Sequence, residues 1–293
     1  MASAVRLVAD CANMLGEGPL WDAAAARLWW IDVAKPQLWR LESATGTTTV
    51  RDLPKPPGSF ALLDSGDLLM AFRGRMALVS ASGDAVRWLE VPGLHSDQER
   101  FNDGKVDRRG RFWVGTLDRA LHNPVGHLYG LQDGSLRSVA GGATLANGIG
   151  WSPDNRTMYF TDTHTGRIDA FDFDIANGTA GMRWPFVQAE KGPGGPDGLT
   201  VDAEGGVWSA QFGRGVIHRY LPDGRLHRVI QLPVTQPTSC MFGGPDLRTL
   251  YITTARHGLD AAALEAQPWA GGLLALDTAE HGIAEPRCSF QSP

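Results

Sequence analysis

The 293-residue chain has no run of basic residues, and none of its apolar stretches approaches the ~18 residues that a membrane-spanning helix needs. With 27 Lys and Arg against 32 Asp and Glu, its formal charge is −5. That balance provides no electrostatic footprint for nucleic acid and no sign of a membrane partner. The segment Met1–Asp10 has neither a cationic stretch nor an apolar core, so no secretory leader is expected. Cysteine is scarce: Cys11, Cys240 and Cys288 form an odd set without a CxxC pair. Reduced thiols in a cytoplasmic protein are the simpler reading than a disulfide framework. There is no G-x-S-x-G elbow, and His122, His127, His164 and His257 have no spacing that suggests a catalytic triad. Helical periodicity is missing as well, Asp260 to Gln267 being the one exception.

What the chain does have is 36 Gly, 18 Pro and ten Trp, as short strands joined by tight turns would produce. A short apolar strand recurs: Leu28-Trp29-Trp30-Ile31-Asp32, Leu68-Leu69-Met70-Ala71-Phe72, Phe112-Trp113-Val114-Gly115-Thr116, Met158-Tyr159-Phe160-Thr161-Asp162, Val207-Trp208-Ser209-Ala210-Gln211 and Leu250-Tyr251-Ile252-Thr253-Thr254. Their second residues, at 29, 69, 113, 159, 208 and 251, are 40 to 49 apart, the period of a four-stranded blade. Turn residues precede the strands, as in Val106-Asp107-Arg108-Arg109-Gly110 and Val201-Asp202-Ala203-Glu204-Gly205-Gly206. Gly tolerates positive φ there, and Asp bonds its own backbone. The expectation is an all-β chain, a single six-bladed β-propeller domain over residues 1–293. A two-sheet sandwich would also be rich in strands, but would not by itself repeat six similar units at near-constant period. Closing the blades requires the two ends to meet, so Val5–Ala9 and Gly272–Leu276 are predicted to share a blade. Trp29, Trp113 and Trp208 are expected to pack between blades.

Counting back 11 or 12 residues from the repeated position reaches Glu17, Asn102, Asn147 and Asp197, with Ser59 nearby in the second copy and Ser239 or Cys240 in the last. In a propeller these lie at matching heights on the innermost strands. Carboxylates facing a narrow channel repel each other and resist burial, and one divalent cation answers both problems. Carboxylate and amide oxygens are hard ligands suited to Ca²⁺, Mg²⁺ or Mn²⁺. The competing reading makes each Asn or Asp a turn residue bonded to local backbone.

Five motifs carry a family likeness: Leu15-Gly16-Glu17-Gly18-Pro19, Arg100-Phe101-Asn102-Asp103-Gly104-Lys105-Val106-Asp107, Asn147-Gly148-Ile149-Gly150-Trp151-Ser152, Pro196-Asp197-Gly198 and Cys240-Met241-Phe242-Gly243-Gly244. In this order, over nearly the whole chain, they resemble the SMP-30/gluconolactonase/regucalcin family. The resemblance implies a six-bladed propeller that hydrolyses a small-molecule sugar lactone. It implies one divalent metal on Glu17, Asn147 and Asp197, with Ca²⁺, Zn²⁺, Mn²⁺, Mg²⁺ and Fe(II) all open. It also implies that Arg100 and Asn102 contact the sugar. Animal members carry an acidic substrate contact shortly after a Gly-Thr pair; here Gly115-Thr116 is followed by Leu117-Asp118-Arg119-Ala120, so Asp118 is the candidate substitute. Asp103 fits the motif either as a turn residue or as a ligand. In the mechanism consistent with these residues the metal polarises the lactone carbonyl, and Asp197, or failing it Glu17, takes a proton from the attacking water. Two alternatives stand beside the lactonase: a metal-dependent phosphotriesterase-like hydrolase, and a non-catalytic calcium-binding propeller.

Overall fold

In a computed structural model, residues 4–82, 85–94 and 98–290 are described. The chain begins with β1 (Arg6–Ala9), and the strands that follow form consecutive meanders. The first is β2 (Gly16–Asp22), β3 (Arg27–Asp32), β4 (Gln37–Glu42) and β5 (Thr47–Asp52); the second is β6 (Pro57–Leu62), β7 (Leu68–Phe72), β8 (Arg75–Val79) and β9 (Val86–Leu89). The third is β10 (Glu99–Val106), β11 (Phe112–Asp118), β12 (Gly126–Gln132) and β13 (Ser135–Ala143). The fourth is β14 (Ala146–Trp151), β15 (Thr157–Asp162), β16 (Arg167–Asp174) and β17 (Thr179–Gln188). The fifth is β18 (Gly195–Val201), β19 (Val207–Phe212), β20 (Val216–Tyr220) and β21 (Leu226–Gln231). The last comprises β22 (Pro237–Gly243), β23 (Thr249–Thr254) and β24 (Leu273–Asp277), with β1 as its fourth strand. Six four-stranded antiparallel sheets built this way are the blades of a six-bladed β-propeller. By their contacts the blades fall into two compact units: Met1–Pro54 with Ala189–Ala284, and Lys55–Gln188 with Glu285–Pro293.

All six recurring apolar segments are the second strand of their blade, β3, β7, β11, β15, β19 and β23. They are almost wholly buried because a strand second from the channel is covered on both faces. In the third and fifth blades, turn chemistry and core are tied together. Asp107 accepts from Arg109 N at 2.8 Å, Arg111 Nε at 2.7 Å and Trp113 Nε1 at 2.9 Å. Asp202 repeats this with Gly206 N at 2.8 Å, Trp208 Nε1 at 2.7 Å and Arg219 Nε at 2.8 Å. Each Asp is fully buried, and its desolvation is offset by donors that also fix the buried tryptophan.

Trp113 packs edge-on against Phe173 of the next blade at 5.5 Å, and Trp208 against Phe242 at 5.5 Å, as expected of them. Trp29 is buried and lies under Arg40 of its own blade, 5.3 Å from the guanidinium, while Trp21 stacks on Tyr251 of the neighbouring blade. The one helix among the described residues is α1 (Ala261–Ala266), which falls on the one segment with helical periodicity. Asp260 caps it by accepting from Ala263 N. No helix of the described residues is long and apolar enough to cross a membrane.

The predicted pairing of the two ends is present: Arg6, Leu7 and Ala9 face Ala275, Leu274 and Leu273. Val5 and Leu7 also pack on the cluster formed by Trp208, Phe242 and Leu274. A chain that starts at Asp10 leaves the β24 edge unpaired and these side chains' partners uncovered. We expect it to lose on the order of 3 kcal/mol of stability, read as a lowered thermal midpoint, and to aggregate at the bared edge on heating.

Candidate functional site

In every blade the innermost strand slips in register against the second at the same place. In four blades two residues oppose one: Gly18-Pro19 against Trp30, Asn102-Asp103 against Gly115, Asn147-Gly148 against Thr161, and Asp197-Gly198 against Ala210. In the other two, Gly58 and Thr238 are the extra residues. Such a bulge frees backbone groups from the ladder and re-aims the side chain it carries. Asn102, Asn147 and Asp197 therefore occupy the bulge itself, and Glu17, paired with Ile31, stands just before it.

Within the unit that contains residues 55–188, the structure brings Asn102 and Asn147 together. Asn102 Nδ2 donates to Asn147 Oδ1 at 2.6 Å and to the carbonyl of Ala146 at 2.8 Å. Asn147 Nδ2 donates to Thr163 Oγ1 at 2.7 Å, which sets the amide with its oxygen on the side opposite Thr163. Neither Asn bonds the backbone of its own turn. Asp103 does, accepting from Gly104 N at 2.8 Å. Burial of its carboxyl pushes the Asp103 pKa up to about 6, against the lowering from Gly104 N and Lys105.

Arg100 pairs with Leu117, and its pKa is lowered to about 10 by burial and by the like charges of Arg73 and Arg119. Asp118, expected at the substrate, is turned to its own loop. Its Oδ2 accepts from His122 N at 2.9 Å and Asn123 N at 2.7 Å, and its Oδ1 from Ala120 N at 3.2 Å. These amides, Asn123 first and His122 next, hold its pKa below the usual carboxylate range. The reason is local: the loop after β11 turns tightly, with Leu121 at a φ of 58°, and its N–H groups converge on the nearest carboxylate.

In the other unit, Asp197 is buried and Glu17 half-buried. Their strands flank β22: Thr238 Oγ1 donates to Gly16 O at 2.5 Å, and a Cβ on Gly198 would come within 2.1 Å of Ser239 Oγ. Only glycine allows β18 to approach β22 so closely after Asp197.

Two residues that position the site escaped the sequence reading. Asp32, paired with Gly16, accepts from Met14 N at 2.7 Å, Leu15 N at 3.1 Å, Ala34 N at 3.0 Å and Lys35 N at 2.9 Å. Asp162, paired with Ala146, accepts from Leu145 N at 3.1 Å and His164 N at 3.2 Å. Each clamps the backbone that leads into Glu17 or Asn147. The signal was the Asp that ends both Trp30-Ile31-Asp32 and Phe160-Thr161-Asp162. Glu99, also unforeseen, is a buried carboxylate held by Thr116 Oγ1 at 2.5 Å and the Tyr129 hydroxyl at 3.0 Å, with His127 Nδ1 at 3.4 Å. No group of three His, Cys, Asp or Glu among the described residues clusters as a metal-binding set.

The profile of the family described as SMP-30/Gluconolactonase/LRE-like region matches residues 15–256, which contain every candidate above. The chain belongs to that family. It is 35% identical to the 6-deoxy-6-sulfogluconolactonase of Pseudomonas putida, over 98% of this chain and 99% of that one. It is 36% identical to the L-arabinolactonase of Azospirillum brasilense, over 98% of this chain and 96% of the other. Among solved structures, a calcium-binding regucalcin from Agrobacterium tumefaciens superposes with a TM-score of 0.93 at 30% identity, covering 98% of both chains.

A carboxyl whose folded pKa lies above its unfolded value binds its proton more tightly in the folded state, so it destabilises the fold as pH rises from about 4 to 6. Asp103→Asn in metal-free protein should therefore stabilise by about 1–3 kcal/mol at pH 8 and by little at pH 4, measured as the difference in thermal midpoint between the two pH values.

Proposed function

We propose that this protein hydrolyses a sugar lactone to the corresponding aldonic acid, with a divalent cation held by Glu17, Asn147 and Asp197. The observation that carries the reading is likeness along the whole chain to two sugar lactonases, at 35% and 36% identity. The donor set fits a hard divalent ion: two carboxylates and one amide oxygen, with no soft ligand. Asn147 suits the task because Thr163 takes its N–H, and Oδ1, which accepts from Asn102, keeps a second lone pair for an ion. When bound, the ion supplies Lewis acidity toward the lactone carbonyl.

The protein's own groups do the rest. Asp197 takes the proton from the attacking water. The bulge frees its side chain from the ladder, and the close packing at Gly198 fixes its backbone. Asn102, oriented by Ala146 O, and Arg100 bind sugar oxygens. Asp118 holds the loop from Leu117 to Gly126 rather than gripping a hydroxyl, since both its oxygens already accept from loop amides. A second reading, a cation with a purely structural role, has its support in the calcium-binding neighbour.

Acid release from a panel of aldonolactones, followed with a pH indicator, tests both readings. Activity is expected on at least one lactone, lost in EDTA and restored by a divalent metal series. Asp197→Asn should lower kcat by about 10²–10⁴, and Asn102→Ala by less. Near-normal turnover in Asp197→Asn with metal present would remove Asp197 as the base. A shift of thermal midpoint in EDTA, with no turnover on any lactone, would favour the structural cation.

A further inference from the structure

Arg73 and Arg119 lie close enough to Arg100 for their charges to act on it, and among the described residues no acid pairs with any of the three. Arg100 is half-buried on β10, two residues before Asn102, and its Nη1 is buried without a hydrogen-bond partner among the described residues. Arg73 opens the turn after β7, anchored by its N–H to Pro56 O at 3.2 Å. Arg119 follows β11; its Nε donates to the Glu99 carbonyl at 3.0 Å, and its Nη2 lies 3.2 Å from where a Cβ on Gly74 would stand. The Arg119 side chain thus reaches the turn that carries Arg73, and both guanidinium charges act on Arg100. Among the described residues none of the three forms an ion pair. Of the carboxylates adjacent to them in sequence, Glu99 is occupied by Thr116, Tyr129 and His127, and Asp118 by the amides of Ala120, His122 and Asn123.

Like charges brought together with one buried and unpaired donor are unfavourable unless an anion completes them. The guanidinium fork matches the oxygens of sulfonate, phosphate and carboxylate groups, and gives a protein of net charge −5 a local attraction for an acidic ligand. We propose that Arg73, Arg100 and Arg119 form a subsite for an anionic group on the substrate's carbon chain, so that the lactone hydrolysed is an acidic one. This deepens the lactonase reading and rests on it for the word substrate, while the anion subsite has a test of its own.

Two measurements separate the claims. The first compares kcat/KM for gluconolactone with the same lactone bearing sulfonate, phosphate or carboxylate at C6, in the wild type, Arg73→Gln, Arg119→Gln and the double variant. The wild type should prefer at least one anionic lactone by tenfold or more, and that ratio should fall at least tenfold in the double variant. Because both substrates meet the same preparation, the ratio cancels any loss of folded enzyme. A wild-type ratio near or below one for all three anions, or a ratio unchanged in the variants, overturns the subsite. The second is calorimetric titration with sorbitol 6-phosphate against sorbitol. Binding of the phosphate ester alone, lost in the double variant, supports the subsite even where no lactone is turned over, an outcome that would sink the lactonase reading but not this one. Equal behaviour of the two polyols overturns it.

Discussion

A one-residue slip between the first and second strands is the constraint on which each blade's contribution to chemistry depends. A regular ladder would pair every backbone group of the innermost strand and send alternate side chains into the neighbouring blade. The extra residue breaks that alternation at one height in all six blades. In three blades the bulge holds Asn102-Asp103, Asn147-Gly148 or Asp197-Gly198, residues that tolerate irregular backbone. The two meanings such residues could carry are therefore not rivals. Asn147 fits the bulge by its conformational tolerance, and its amide is held there by Thr163 and Asn102.

Carboxylates in this protein divide by how many donors surround them. Asp32, Asp107, Asp162, Asp202 and Glu99 are each buried and each accept from several N–H or O–H groups. That number of donors offsets desolvation, and removing one partner would leave a charge exposed to a poor solvent. Asp118 belongs with them, although its place in the sequence suggested a ligand-facing role. Asp103 is the contrast: one backbone N–H does not compensate its burial, and its proton affinity rises.

How much of this the sequence disclosed follows from how local each signal is. The second strands were legible because aromatic and β-branched runs after an Asp–Gly turn are local patterns, and the pairing of Arg6–Ala9 with Leu273–Asp277 followed from the need to protect an edge. The short helix lies on the one segment that showed helical periodicity. The positions of Glu17, Asn102, Asn147 and Asp197 emerged from constant offsets, since a repeat converts distance along the chain into height along a strand. The bulge itself was not visible, because a register slip is a relation between two strands. Nor were the clamps at Asp32 and Asp162, whose amide donors lie up to 18 residues away.

The residues proposed to bind the cation are divided between the two compact units. Glu17 and Asp197 belong to the unit of residues 1–54 and 189–284, whereas Asn147, with Asn102 and Arg100, belongs to that of residues 55–188. Neither unit alone carries the donor set, so on that reading catalysis requires both to be folded. Within its own unit each donor is positioned by local hydrogen bonds: Asp32 fixes the backbone before Glu17, and Asp162 the backbone before Asn147.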